Sequence, residues 1–328
     1  MAKQTMTPSA VSGRRLLMAL ASLGTLAYLA VALGTDPTKL NDALEKLGWA
    51  GCIFVLALSV ANYLLRFLRW QYYIRSLGHR LSTWRHLLVY LSGFALTVSP
   101  GKGGEVIRSL YMRDHGVAYS ESIAALFVER LLDFLAMVLL TALVISGARA
   151  YVPFLIVALI CALVVLIILG RSSLPKWMEI MSSRHAGRVA PALSALANLL
   201  RSSHRLLQPG PVLIGLVLAL IAWAAEGVGF YMILQGLRLQ LSATSAIGIY
   251  AIAALAGAAA FFMPGGIGGM EVAMTSMLVA RGAPLSAAVI ATLLCRIATL
   301  WFAVIIGILA TFIVEAWVIT AQPESSST

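Results

Sequence analysis

The chain has 328 residues, of which 60% are hydrophobic and 11% are charged, and its mean hydropathy is +0.91. This composition excludes a soluble globular domain, because several apolar runs approach the ~20 residues that a helix needs to cross a bilayer. The net charge of +11 fits basic loops at a membrane surface better than a nucleic-acid binder, which would need a soluble basic face. We therefore expect an all-α polytopic membrane protein without a nucleic-acid partner.

The cysteines and histidines form no metal-binding pattern. Cys52, Cys161 and Cys295 all lie in apolar stretches, where a cysteine is usually a small buried hydrophobe. The histidines fall in loops or at predicted helix ends, without a His-x-x-His or His-Glu-x-x-His motif. We expect no metal and no cofactor.

The N-terminal part predicts two membrane helices. Residues 1–15 form a basic cytoplasmic segment, and residues 16–34 form the first crossing. The triplet Ala30-Val31-Ala32 also allows a signal peptide, but the apolar run exceeds a typical signal core, which favours an uncleaved helix. Residues 47–65 form the second crossing, which ends in a strongly basic loop. That loop contains Arg66, Arg69, Arg75, Arg80 and Arg85.

A helical hairpin is predicted next. Residues 86–99 are apolar but too short to span, and they stop at a Pro-Gly pair, so we interpret them as the descending arm of a re-entrant hairpin. Residues 105–113 form its returning half-helix. Residues 122–147 and 151–170 are then two full crossings joined by a tight turn.

The longest polar stretch, residues 171–208, predicts an amphipathic helix. Four leucines between residues 193 and 207 repeat at helical spacing beside Arg201 and Arg205. This pattern is typical of a basic helix lying on the membrane. A helix packed under the bundle would show the same periodicity, so both alternatives stay open.

The C-terminal part repeats the predicted order of crossings and hairpin arms. Residues 212–234 and 287–314 are full crossings, and residues 243–262 and 266–280 are the two arms of a second re-entrant hairpin. The prediction is thus six full transmembrane helices and two re-entrant helical hairpins. Residues 16–320 form one transmembrane domain, whose repeat halves (about 47–170 and 212–314) are joined by the basic segment 171–211, and residues 321–328 form a disordered tail.

Two glycine-rich breaks carry matching charges. The first is Pro100-Gly101-Lys102-Gly103-Gly104-Glu105 and the second is Pro264-Gly265-Gly266-Ile267-Gly268-Gly269-Met270-Glu271. Arg130 follows the first glutamate after 25 residues, and Arg296 follows the second at the same distance. A shift of 166 positions superposes both pairs. Gly/Pro-interrupted apolar segments at corresponding positions of two halves indicate a transporter-like site at the repeat interface.

The distribution of basic residues predicts the orientation. A cytoplasmic N-terminus places most Lys and Arg residues on the cytoplasmic side, and the C-terminus is then cytoplasmic too. Three full crossings separate the hairpins, so the first hairpin opens from the cytoplasm and the second from outside. This is an inverted-topology repeat, the architecture of alternating-access transporters. It requires that residues 243–262 do not span the membrane fully.

The breaks and the nearby buried charges are candidates for anion binding. Each break begins a half-helix, whose N-terminal N–H groups and partial positive charge can receive an anion such as phosphate. The first break lacks the G-x-x-x-x-G-K-[ST] pattern of a nucleotide-binding loop. Ionisable groups at membrane depth usually mark functional sites. The candidate residues for binding the anionic group of a substrate are Lys102, Arg108, Arg130, Arg296, Gly101, Gly103, Gly104, Gly265, Gly266 and Gly268. The supporting or proton-coupling acids are Glu105, Glu129, Asp133, Glu271 and Glu226.

The two glutamates of the breaks also have a structural explanation. Glu105 and Glu271 lie in the first turn of their half-helices, where an acid is an ordinary cap. Capping does not require an arginine 25 residues later, and two matched pairs therefore favour a functional site.

The two arginines differ in their local surroundings. Arg130 has Glu129 and Asp133 on its own helix, and the three could form an ion-pair cluster that satisfies itself. Arg296 has no acid within four residues on its helix. Its partner is expected to be Glu271, Glu226 or an anionic substrate.

These motifs resemble a known family. The first break with Arg108, the run Glu129-Arg130-Leu131-Leu132-Asp133, the second break with Arg296, and Arg66-Phe67-Leu68-Arg69-Trp70 are similar to the flippase-like membrane domain of lysylphosphatidylglycerol synthases. The resemblance covers about residues 16–314. No synthase domain follows Val314, so a stand-alone member without aminoacyl-transfer activity is expected. The breaks differ in length between proline and glutamate, so the two half-sites need not be equivalent.

The resemblance implies lipid translocation in the bacterial inner membrane. The expected ligands are membrane lipids with an anionic headgroup, either a phospholipid or a polyprenyl-phosphate-linked lipid, and the chain is expected not to be an enzyme. Two alternatives stay open: an integral-membrane transferase acting on lipid carriers, for which Glu105 with Lys102 is the only plausible pair, and a scaffold for a lipid-modifying enzyme. A homo-oligomer also stays open.

Overall fold

The computed structural model describes residues 37–98, 103–113, 115–142, 152–171, 173–184, 189–260 and 268–320. Every regular element within these ranges is helical, which confirms the expected all-α fold. The helices are α1 (Pro37–Ser76), α2 (Thr83–Ser92, extended by a 3₁₀ turn, Gly93–Leu96), α3 (Gly103–Arg113), α4 (Tyr119–Thr141), α5 (Val152–Leu169), α6 (Ser173–Arg184), α7 (Val189–Leu206), α8 (Pro209–Gly236), α9 (Ala243–Ala259), α10 (Gly269–Ala280), α11 (Leu285–Arg296) and α12 (Phe302–Thr320). A π-helical turn, Ile297–Trp301, joins α11 to α12.

Three of the described helical segments are long and apolar enough to cross a membrane: Asn41–Ser76, Pro209–Gly236 and Leu285–Ala316. The pair Ile156–Leu169 and Ser173–Met181 makes a fourth if these helices, bent by 58°, form one span. The predicted crossing at residues 16–34 and the tail at 321–328 lie outside the described residues.

Helix α1 is longer than the predicted second crossing. It continues to Ser76 and is interrupted at Gly48, whose φ of 68° suits a glycine. The prediction that Arg66 and Arg69 lie in a basic loop is therefore wrong. Both side chains are buried, because they meet carboxylates of α4 that are distant in sequence. Arg75 lies in the last turn of α1.

The polar stretch after α5 folds into two helices. Helices α6 and α7 pack on each other, and α7 also packs on α4. Ala197, Ser203 and Leu206 of α7 are almost fully buried. The amphipathic helix is therefore packed against the bundle, which was the second of the two alternatives.

Helices α1 and α8 pack side by side in antiparallel directions. Small residues of α8 recur at seven-residue spacing on the contact face, and they allow the two backbones to approach closely. Asn62 Nδ2 donates a hydrogen bond to the carbonyl oxygen of Ala222 at the middle of this contact, over 2.8 Å. The residues in contact are Leu47 with Gly236, Val55 with Gly229, Asn62 with Ala222, and Tyr73 with Gly215.

The helices of the two halves correspond in order and position. Ser82 and Ser242 precede α2 and α9 at an offset of 160 residues. After the breaks the offset becomes 166. This offset is seen at Gly116 and Gly282, which form matching turns with φ of 82° and 87°. Asn62 and Ala222 also differ by 160, so the hydrogen bond between α1 and α8 joins corresponding positions.

The halves exchange packing partners. Helix α12 of the second half packs on α2, and α4 of the first half packs on α9. At the α12 contact, Gly307 lies so close to the backbone of Ala95 that a Cβ atom there would overlap it. The helices that precede the two breaks, α2 and α9, are therefore each packed against a helix of the opposite half.

Candidate functional site

A cavity of about 130 Å³ lies between the two halves. A site needs roughly 10–15 Å³ to hold one water molecule, so this cavity has room for several waters or a small polar group. We call it the central cavity. Its wall includes Arg66, Arg130, Arg296, Glu226 and Tyr250.

The central cavity is built from corresponding positions of the two halves. Each lining residue from the first half has its counterpart in the wall, at the offsets established for the helices. The pairs are Tyr63 with Trp223, Arg66 with Glu226, Phe94 with Ala254, Thr97 with Gly257, Arg130 with Arg296, and Met137 with Ala303. The cavity therefore lies where the halves face each other.

A buried glutamate organises the charges of the first half. Glu129 is fully buried and its Oε1 accepts hydrogen bonds from Tyr90 Oη at 3.0 Å and from Arg69 Nη2 at 3.2 Å. Oε1 also faces Arg66 Nε at 3.7 Å and Arg130 Nη2 at 3.6 Å. A buried carboxylate is tolerated only when cations and donors surround it in this way.

Asp133, one helical turn after Glu129, completes this cluster. Its Oδ1 accepts from Arg69 Nη2 at 2.7 Å and from Trp223 Nε1 at 2.9 Å. Its Oδ2 lies 3.3 Å from Arg130 Nη1. The Trp223 contact joins α8 of the second half to the charges of the first.

Arg108 is held between two aromatic rings. Its guanidinium stacks between the rings of Trp70 and Tyr90, with the Cζ atom 4.5 and 4.2 Å from their centroids, and its Nη1 lies 3.4 Å from Glu129 Oε2. Such stacking stabilises a desolvated cation. Arg108 is fully buried and belongs to the wall behind Glu129, not to the cavity surface.

Among the described side chains, the first-half cluster is cationic. Arg66, Arg69, Arg108 and Arg130 surround the carboxylates of Glu129 and Asp133. Four guanidinium groups against two carboxylates give a formal charge of +2. An anion entering the central cavity would reduce this excess.

The second half contributes one acid and one ion pair. Glu226 is buried and accepts a hydrogen bond from the hydroxyl of Tyr250. Arg296 Nε donates to Glu271 Oε1 at 2.7 Å, and Glu271 Oε2 accepts from the backbone N–H of Gly268 at 2.7 Å. Glu271 is thus both the cap of α10 and the partner of Arg296.

The structure brings together most of the predicted charged residues that it describes. Arg130, Arg296 and Glu226 line the central cavity, and Glu129, Asp133 and Arg108 lie behind its wall. Gly103, Gly104 and Glu105 form the first turn of α3, and Gly268 precedes α10 with φ of 96°. Gly101, Lys102, Gly265, Gly266 and the side chain of Glu105 lie outside the described residues.

Sequence reasoning missed several residues of the central cavity and of the buried charges behind it. Arg66 and Arg69 were assigned to a loop, although their spacing of three residues places them on one face of a continuing helix. Tyr90 and Tyr250, which bind the two buried glutamates, differ by the offset of 160. That match could have been found by extending the repeat comparison to the residues before the breaks.

The described residues include no group of three His, Cys, Asp or Glu side chains arranged to hold a metal ion. The polar groups of the central cavity are instead guanidinium, carboxyl and hydroxyl groups. They can bind an anion through charge-assisted hydrogen bonds and exchange protons with it.

The fold and the buried charges define an α-helical integral membrane protein. The model of the lysylphosphatidylglycerol synthase transmembrane region matches residues 16–307, and the chain belongs to this family. It is similar to two proteins of Methanothermobacter thermautotrophicus that are both named UPF0104 membrane protein. One is 25% identical over 313 residues (87% of this chain and 90% of the relative), and the other is 24% identical over 317 residues (88% and 92%).

Proposed function

We propose that this protein is a lipid flippase, which moves an anionic or phosphate-linked headgroup across the membrane through the central cavity. The lipid tails would stay in the bilayer while the headgroup passes between the two halves. The observation that carries the proposal is the position of Arg66, Arg130 and Arg296 in one cavity that corresponding residues of the two halves enclose. Cations at this depth are costly unless they serve a ligand or a buried partner.

The packing of α1 against α8 supports an inverted-topology repeat. These helices occupy corresponding places in the two halves, contact each other at Asn62 and Ala222, and run antiparallel. Two antiparallel helices that both cross a membrane enter it from opposite faces. A site between such halves can be reached from either side in turn, as alternating access requires.

The short helices around the breaks support re-entrant hairpins. Helices α2 and α3 have 10 and 11 residues, and α9 and α10 have 17 and 12. All are shorter than the ~20 residues that span a bilayer. We propose that each pair enters and leaves through the same face, within a bundle of six full crossings.

The ion pairs of the cavity supply a means of holding and releasing a headgroup. An arriving phosphate can share the guanidinium donors of Arg130 and Arg296 that carboxylates engage at other times, so the cations stay compensated throughout. Glu271 would retain its contact with Gly268 during this exchange, because the two interactions use different oxygens.

We propose that the protein acts in the bacterial inner membrane with both termini in the cytoplasm, that its ligands are anionic phospholipids or polyprenyl-phosphate-linked lipids, and that it catalyses no covalent step. The concentration of Lys and Arg on the predicted cytoplasmic side supports the orientation.

Reconstitution into liposomes with fluorescent phosphatidylglycerol tests the function. Dithionite quenching from one side measures the lipid that has changed leaflets. The wild type should accelerate exchange over empty liposomes, and Arg296→Ala should reduce it at least ten-fold. Arg281→Ala is the matched control, because it removes an exposed arginine from the turn before the same helix.

Equal exchange by wild type and Arg296→Ala would remove the central cavity from the mechanism. No exchange by the wild type, together with product formation from lipid and sugar donors, would establish a transferase instead. A protein inactive in both assays, whose partner enzyme fails when the segment 171–211 is altered, would be a scaffold.

A further inference from the structure

A second cavity, also of about 130 Å³, lies at the start of the first hairpin. Its exposed rim contains two cations, Arg80 and Arg85, together with His115, and its buried floor includes His86 and Met112. We call it the basic cavity. It shares no lining residue with the central cavity.

The ring of His86 is fixed by a neighbour. Trp70 Nε1 donates a hydrogen bond to His86 Nε2 over 2.8 Å, so the neutral imidazole carries its proton on Nδ1. His86 is 2% exposed and lines the cavity. The cavity therefore combines a buried imidazole at its floor with two arginines at its rim, a combination that suits a phosphate group.

The second half shows that the fold does not need these cations. At the offset of 160, the counterparts of Arg80, Arg85 and His86 are Gln240, Ser245 and Ala246. Ala246 is fully buried in the same helical position as His86. The same helix start is thus built without charge in one half and with a basic cavity in the other.

An exposed aromatic residue indicates the depth of this cavity. Trp84 lies in the first turn of α2, between rim residues, and 59% of its surface is exposed. Tryptophan concentrates at the boundary between water and lipid headgroups. The basic cavity is therefore expected at the level of lipid phosphates.

A chain of contacts links the basic cavity to the central charges. His86 binds Trp70, the Trp70 ring stacks on Arg108, and Arg108 faces Glu129. Each step is a direct contact between buried groups. An anion beside His86 would therefore be connected through Trp70 and Arg108 to Glu129, which lies behind the wall of the central cavity.

We propose that the basic cavity is a second phosphate-binding site, which takes the phosphate of a membrane lipid or free phosphate at the membrane surface. The inference rests on the proposed function only for its role, which is to load a headgroup before it reaches the central cavity. Binding itself requires Arg80, Arg85 and His86 and not the transport activity.

Binding to purified protein in detergent tests the site. The probes are inorganic phosphate and short-chain phosphatidylglycerol, measured by isothermal titration calorimetry. The variant Arg80→Gln/Arg85→Ser copies the residues of the second half, so it should fold and weaken binding at this site at least ten-fold. The matched control, Arg205→Gln/Arg281→Gln, removes two exposed arginines elsewhere and should bind like the wild type.

If the Arg80→Gln/Arg85→Ser variant loses binding of both probes, the site recognises the phosphate group itself. Loss of phosphatidylglycerol alone would assign it to lipid, and loss of inorganic phosphate alone would assign it to the free ion. Unchanged binding of both probes by the folded variant would overturn the proposal. Arg296→Ala should keep binding at the basic cavity, so a failed flipping assay and a failed binding assay remain distinguishable.

Discussion

Arg66 and Glu226 occupy corresponding positions of the two halves and face the same central cavity. Arg66 lies between the rings of Phe94 and Trp223, with its Cζ 5.6 and 5.5 Å from their centroids. Glu226 is bound by the Tyr250 hydroxyl. The cavity is therefore symmetric in shape but not in charge, because one half presents a cation where the other presents an acid.

Replacing Glu226 by Gln should strengthen anion binding. Glutamine still accepts the Tyr250 hydrogen bond but cannot acquire the negative charge that would repel a phosphate in the cavity. We expect about ten-fold tighter binding of phosphatidylglycerol, which corresponds to ~1.4 kcal/mol, and slower flipping because release is delayed. Zwitterionic phosphatidylcholine is the control lipid in the same titration. Equal changes for both lipids would argue against an electrostatic role for Glu226.

Removing Arg69 should strongly destabilise the protein. Its Nη2 binds both Glu129 and Asp133, and Arg69→Ala would leave two buried carboxylates without this partner. Breaking a buried pair costs about 3–5 kcal/mol. The control is Arg201→Ala, which breaks an exposed pair with Glu179 and should cost at most about 1 kcal/mol. Unfolding in a mixed-micelle denaturant series measures both, and equal losses would contradict the assigned burial.

Two substitutions of Glu271 should have different effects on stability but similar effects on lipid flipping. Glu271→Gln keeps an acceptor for the Gly268 N–H but loses the charge that holds Arg296. Glu271→Ala loses both, and the missing cap should cost about 0.5–2 kcal/mol more. We expect both variants to flip lipid slowly while only the alanine variant has a lower midpoint of thermal unfolding. Normal flipping by Glu271→Gln would show that the ion pair serves structure alone.

Two glycines on the packing faces should respond oppositely to alanine. At Gly307 a Cβ would overlap the backbone of Ala95, so Gly307→Ala must push α12 away from α2 and should cost about 1–3 kcal/mol. At Gly229 a Cβ would meet Val55 at 3.7 Å, an ordinary contact. Gly229→Ala should be neutral or stabilising by up to ~1 kcal/mol, because alanine favours a helix. Thermal unfolding of the two variants side by side tests this difference.

The local features of the site followed from the sequence. The helix predicted at residues 105–113 is observed as Gly103–Arg113, and of the three partners expected for Arg296 the structure shows Glu271, at 2.7 Å. Both signals are short in range: a glycine break ends one helix and begins another, and an arginine without acids on its own helix must find a partner elsewhere.

The long-range features did not follow from the sequence. Arg66 and Arg69 look like a loop in any window of neighbouring residues, since the carboxylates that compensate them lie on α4, more than 60 positions away in the case of Arg69 and Asp133. The basic segment after α5 posed the same difficulty, because its periodicity describes one face of a helix but not what covers it.

The tight contact between α1 and α8 limits how this molecule can change shape. The two helices touch at Leu47 and Gly236, at Asn62 and Ala222, and at Tyr73 and Gly215. A tilt of either helix would therefore break packing contacts along its length. The two helices therefore form one closely packed pair. We therefore expect an opening toward one face to move α2 and α3, or α9 and α10, relative to the α1–α8 pair.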